Sequence, residues 1–189
     1  MGSRFSFLVA ATAVAIWSLP VTAAQYEKTG SWVFNSTAFA EDGEAMLYAC
    51  AASTVSAEGT ELSLSLEPAA DDGVDARMSL TNDAWALDAA PVRVRFDIGT
   101  DHWVLPGQSG GKSVAVIWTG DAALLTFLED LSSSSFAGLT GRNGATVAQF
   151  SLNGSRGAIE AMTACVEAQI GQGLGEVLRA GSGGAENPF

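Results

Sequence analysis

Apolar and polar residues alternate along most of the chain, and the period changes from two to about 3.6 at two places. The cleanest alternation sets Leu62, Leu64 and Leu66 against Ser63 and Ser65, between Glu61 and Glu67. It predicts a strand with one dry face and one wet face. Trp32 and Phe34 within Ser31–Phe39, followed by Met46, Tyr48, Cys50 and Ala52, read as two antiparallel strands around an acidic turn, Glu41-Asp42-Gly43-Glu44. Pro68 and Asp71-Asp72-Gly73 then turn the chain into a strand carrying Ala76, Met78 and Leu80. Asn82 opens a short strand with Trp85 and Leu87. Beyond Pro91, the residues Val92, Val94, Phe96 and Ile98 face inward while Arg93, Arg95 and Asp97 face outward. A slip of one residue there would bury three charges, so the register is fixed. Residues 99–112, rich in glycine and containing Pro106, read as a loop, and Ser113–Trp118, apolar on both faces, as a central strand.

Helical spacing appears first at Leu124, Leu125, Leu128 and Leu131, with Asp121 as the expected N-cap and Ser132–Ser135 as the end. It returns in Thr146–Val166, where Ala148, Phe150 and Leu152 alternate as a strand and Ile159, Met162, Val166 and Ile170 recur at helical intervals. Ser155 is the expected cap of that helix, and Gly157 in its first turn costs up to about 1 kcal/mol. Phe136–Leu139 reads as a short strand and Arg142-Asn143-Gly144 as a hairpin turn. About eight or nine strands with two helices make a mainly β fold, an antiparallel β-sandwich or half-barrel with one mid-chain helix and one C-terminal helix. A single domain over residues 25–170 is expected. Residues 171–189 hold six glycines and read as a flexible tail in which only Leu174, Val177 and Leu178 could dock.

The N-terminus changes the setting of this fold. Arg4, the apolar run Phe5–Ile16 and the small-residue exit Pro20–Ala24 have the form of a cleavable Sec-type signal peptide over residues 1–24. The run is shorter than the roughly 20 residues that span a bilayer, so a periplasmic or secreted chain without integral membrane insertion is expected. Lysines and arginines number 9 and carboxylates 21, for a net charge of −12. No nucleic-acid partner is therefore expected, since phosphate binding needs clustered cations. A basic partner, or solubility alone, fits the excess. In an oxidising compartment the two cysteines, Cys50 and Cys165, most simply form one disulfide, with two buried thiols as the alternative. Two cysteines and one histidine without close spacing do not make a metal ligand set.

Candidate chemistry is sparse. His102, the single histidine, stands between Asp101 and Trp103, and a hydrolytic site would need it beside a distant serine. Gly107-Gln108-Ser109-Gly110-Gly111 has the spacing of a nucleophile elbow but leads into a strand, not a helix. Asp71–Asp75 lacks the calcium-loop pattern and its closing glutamate. Arg93 and Arg95 share one face of a strand and could receive a carboxylate or phosphate together, or pair across strands with acids. Trp103, set in a loop, is a candidate interface anchor, and the other tryptophans belong to a core. These features favour a non-enzymatic envelope protein that binds a protein or other envelope component through His102, Trp103, Arg93 and Arg95, with no cofactor and no metal. The alternatives are an inhibitor of a cationic hydrolase such as lysozyme, suggested by charge, and an exported hydrolase using His102.

Phe150–Met162, F-S-L-N-G-S-R-G-A-I-E-A-M, resembles the closing strand-and-helix motif of the invasion-associated locus B proteins, small exported proteins of alphaproteobacteria built on a β-sandwich. Outside that motif the likeness lies in element order, the signal peptide and an early tryptophan strand at Trp32. Cysteine placement differs: that family tends to carry a cysteine soon after the first tryptophan, whereas here Cys50 comes later and Cys165 lies in the helix. The resemblance implies an envelope or host-contact role and brings no catalytic residues.

Overall fold

One-sided burial builds the sheet. In the computed structural model, which describes residues 26–39, 47–69, 73–119 and 122–181, the strands are β1 (Tyr26–Thr29), β2 (Trp32–Phe39), β3 (Leu47–Val55), β4 (Glu61–Pro68), β5 (Val74–Thr81), β6 (Leu87–Ile98), β7 (Asp101–Gly111), β8 (Ser113–Thr119), β9 (Phe136–Thr140) and β10 (Thr146–Ser151). Three helices, α1 (Ala122–Ser133), α2 (Ser155–Ile170) and α3 (Leu174–Gly181), complete the fold. The expected signal peptide, the Glu41–Glu44 turn, Asp71 and Asp72, the Asp121 cap and the tail beyond residue 181 lie outside the described residues. All ten strands pair antiparallel in the order β1-β2-β3-β4-β5-β8-β7-β6-β9-β10, an open sheet.

The open sheet curls until its two ends touch. The Trp32 indole donates to the Ser151 carbonyl at 3.0 Å, the Ser31 N–H donates to the Asn153 carbonyl at 2.9 Å, and the Glu58 carboxylate accepts the Gln149 N–H at 3.3 Å. Gly30 and Gly154 allow this contact. Both have positive φ, +58° and +90°, and a Cβ on Gly154 would stand 1.9 Å from the Thr29 carbonyl oxygen. No other residue tolerates both the torsion and the crowding.

Inward residues meet in one core, with Trp32, Phe96, Phe127 and Phe150 as its largest fully buried rings. Phe96 contacts Phe127 edge-on at 6.1 Å and Phe150 at 6.3 Å. α2 lays Ile159, Met162 and Val166 against β2, β3 and β4. There Cys165 is bonded to Cys50 of β3 across Cα atoms 6.0 Å apart, closing 115 residues of sequence. The Gln169 amide caps the bridge, donating to the Cys165 carbonyl and to Cys50 Sγ, each at 3.2 Å.

Four elements depart from the pattern read in the sequence. Residues 99–112 are not a loop but mostly β7, paired with β6 along its length. Over residues 101–107 β7 has a strand partner only on its β6 side, since its ladder with β8 spans just Gln108–Gly110, so Pro106 removes no needed donor. The stretch from Asn82 to Trp85 is a turn: Asn82 accepts the Ala84 N–H on its side chain and the Trp85 N–H on its carbonyl. Ser155 does not cap α2. Gly154 holds the cap position, and the buried Ser155 hydroxyl donates instead to the Leu131 carbonyl at 2.7 Å, tying α2 to the end of α1. Within the segment read as a tail, α3 buries Leu174, Val177 and Leu178, the three residues able to dock.

Candidate functional site

The alternation of β6 sends Arg93, Arg95 and Asp97 to the outer face of the sheet, all three exposed. The residues paired with the two arginines across the ladders are not acids. Arg93 stands opposite Pro106 of β7, and Arg95 lies between Val104 of β7 and Thr140 of β9. Cross-strand neutralisation, one of the two readings of this pair, is therefore absent from both ladders. A third guanidinium, Arg142, arrives from the β9–β10 hairpin turn, whose Asn143 side chain accepts the Ala145 N–H. Together the three arginines line a groove of about 730 Å³ whose floor includes Pro106, Ala115 and Ile117. Ile117 is 59% exposed and Val104 54%. The groove forms where the short β7–β8 ladder ends.

Charge along this groove runs against that of the whole molecule: its lining holds three arginines and no acid. Of the eight basic residues after Arg4, Arg93, Arg95 and Arg142 gather here, and Arg77 of β5 stands opposite Ile117. Among the described residues, no ion pair or side-chain hydrogen bond engages Arg93, Arg95 or Arg142. Three guanidinium forks without an ion pair thus stand beside exposed apolar side chains, and arginine presents planar donors of the kind matched to carboxylate or phosphate.

His102 shares the outer face. Its Nδ1 meets Asp97 Oδ1 at 2.6 Å, and the other carboxylate oxygen accepts the Thr140 hydroxyl at 2.8 Å. The hydrogen bond from His102, then that from Thr140, hold the Asp97 carboxyl below the ordinary aspartate range. Asp97 is the hydrogen-bond partner of the imidazole among the described residues, and no serine or threonine hydroxyl reaches it. The His102 side chain is 79% exposed.

Trp103 points the other way. Being adjacent on a strand, His102 and Trp103 leave opposite faces. The Trp103 ring stands edge-on to Phe127 of α1 at 5.2 Å, and its Nε1–H donates to Asp130 at 2.8 Å. Phe127 also contacts Trp118 at 5.4 Å, so α1 wedges one ring between β7 and β8 where their ladder has ended. Of the four residues singled out in the sequence, the structure thus gathers Arg93 and Arg95 in one groove, sets His102 farther along the same face, and turns Trp103 inward. Sequence reasoning missed Arg142, which was visible only as a turn residue.

A second cleft, of about 580 Å³, opens behind the first between the early part of β6 and the β9–β10 hairpin. Trp85, Leu87, Val92, Val114, Leu139 and Val147 line it, and Val92, Arg93 and Arg142 belong to both cavities. Among the described residues, no group of three or more His, Cys, Asp or Glu side chains is placed to hold a metal, and no helix is long and apolar enough to cross a membrane. In comparisons with known proteins, the chain matches no family model, no curated protein and no solved structure.

Proposed function

We propose that this chain is an exported, non-enzymatic binding protein that engages an envelope protein or other envelope component through the outer face of β6, β7 and β8. The observation that carries the reading is the groove: three arginines with no ion pair among the described residues, in a chain of net charge −12, beside the exposed Ile117. Binding surfaces combine apolar contact with a few placed polar groups, and arginine is enriched among the residues that dominate them. Export is supported by the form of residues 1–24 and is compatible with the Cys50–Cys165 disulfide, which persists in oxidising compartments. Among the described residues the side chain that His102 meets is the Asp97 carboxylate and not a hydroxyl, which supports binding over hydrolysis.

The local charge alters the expected partner. Whole-chain acidity favours a basic partner, but this groove receives acidic groups. Capture from a periplasmic extract tests the reading with three baits: the native chain, R93Q/R95Q and R156Q, the last removing one exposed charge from α2. A component held by the native chain and by R156Q, and reduced at least about tenfold with R93Q/R95Q, is the expected result. The same capture profile for all three baits overturns it. Osmotic-shock fractionation with intact-mass measurement checks export, the expected mature chain beginning at Ala24 or Gln25.

A further inference from the structure

We infer that the two cavities form one site for a single-chain anionic amphiphile, its headgroup on Arg93 and Arg142 and its alkyl chain in the cleft behind them. The inference rests on the proposed role of the arginine face as a binding surface and names the class of component it takes. Three observations carry it. The rear cleft is walled by apolar side chains, with Trp85, Val92 and Val114 half-buried and Val147 38% exposed, so apolar surface faces an open space. Its volume, about 580 Å³, lies within the range of roughly 300–1,000 Å³ that encloses one drug-sized ligand, enough for one chain and not for a bilayer lipid with two. The two guanidinium groups at the lip belong to both cavities and have no ion pair among the described residues, so a head bound there has its chain directed between the β6 edge and the β9–β10 hairpin.

The geometry of the strand explains why head and chain separate. Val92 and Arg93 are neighbours on β6, so one faces the interior and the other the outer surface. β9 pairs with β6 only over Arg95–Ile98, which leaves the edge at Val92 and Arg93 without a strand beside it. An oxyanion head remains near water and the guanidinium forks, while methylene groups leave water for the cleft, a transfer favoured by the hydrophobic effect. Asp88 also lines the cleft, and its carboxylate disfavours an anionic head inside, which keeps the head at the arginines. A net charge of −12 repels an anionic bilayer, so the ligand is a free monomer and not a lipid held in a membrane surface.

Isothermal titration of the mature chain with decyl phosphate, below its micellar concentration, tests the proposal. Saturable one-to-one binding is expected. Inorganic phosphate, which lacks the chain, and decyltrimethylammonium, which reverses the charge, bind at least about tenfold more weakly. R93Q/R142Q weakens decyl phosphate binding at least about tenfold. V147E, a substitution at a partly exposed position in the cleft, does the same with the arginines intact, and circular dichroism checks that both variants fold. Equal binding of decyltrimethylammonium, binding indifferent to R93Q/R142Q, or no saturable binding of decyl phosphate overturns the inference. So does arginine-dependent sedimentation with vesicles of dioleoylphosphatidylglycerol, which would make a membrane surface the ligand. Loss of partner capture by R93Q/R95Q together with no amphiphile binding leaves the proposed function standing and removes this inference alone.

Discussion

Asp97 shows how one carboxylate organises the outer face. It bridges β7 and β9 by accepting from His102 and Thr140 on its two oxygens. Its folded-state pKa is depressed, so its contribution to stability is present above the unfolded value near about 3.9 and is lost as pH falls through the lower folded value. Carbon-detected NMR titration should place the Asp97 midpoint below about 3.9 and move it upward in His102→Ala, because the hydrogen bond that does most to hold the carboxyl down is then gone. An unchanged midpoint in that variant would rule out His102 as the cause. With both groups largely exposed, the effect on global stability is small. Arg93 and Arg95 were legible as outward residues because strict alternation fixes the face of a strand. Arg142 was not, because a turn residue has no period, and its approach to Arg93 follows from how the hairpin packs.

At the scale of elements, β7 separates what periodicity reveals from what it hides. β4 was legible because leucine and serine alternate without exception, and β6 because charges alternate with Val92, Val94, Phe96 and Ile98. In β7 the inner row is Trp103, Leu105 and Gly107 and the outer row His102, Val104, Pro106 and Gln108, so an apolar residue stands outside and a glycine inside. The pattern cancels. What makes it a strand is tertiary: the β6 ladder on one side and α1 beneath, with Trp103 joined to Phe127 and Asp130. Trp103→Phe keeps the aromatic contact and loses the hydrogen bond, for a cost of about 1 kcal/mol, and Trp103→Ala costs about 2–4 kcal/mol because the ring is only half-buried. His102→Ala, on the opposite face, changes stability by no more than about 0.5 kcal/mol. Urea unfolding of the three variants checks this order, and equal costs for Trp103→Ala and His102→Ala would contradict the inward placement of Trp103. α3 escaped notice for a related reason, since its three apolar residues sit among glycines and gain their helix by docking.

At the scale of the molecule, the disulfide and the contact between the sheet ends do related work. Cys50–Cys165 fastens α2 to β3 and closes 115 residues, for which the chain-entropy model gives about 4–5 kcal/mol. Urea unfolding of C50A/C165A beside the native chain should show a loss of that order, and a loss below about 1 kcal/mol would mean that the unfolded chain is already compact there. The contact between Trp32 and Ser151 adds no covalent bond, yet it spans 119 residues of sequence. A growing chain cannot complete the first strand pair's surroundings until the last strand has been made. Trp32, wholly enclosed in the finished fold, has no carbonyl to meet while synthesis is in progress. Most ladders of the sheet join consecutive strands and close short loops, whereas this seam must close 119 residues, at a larger cost in chain entropy. The closing seam at Ser151 therefore acts as a timer, keeping the early strands unsealed until the whole sheet is available to curl.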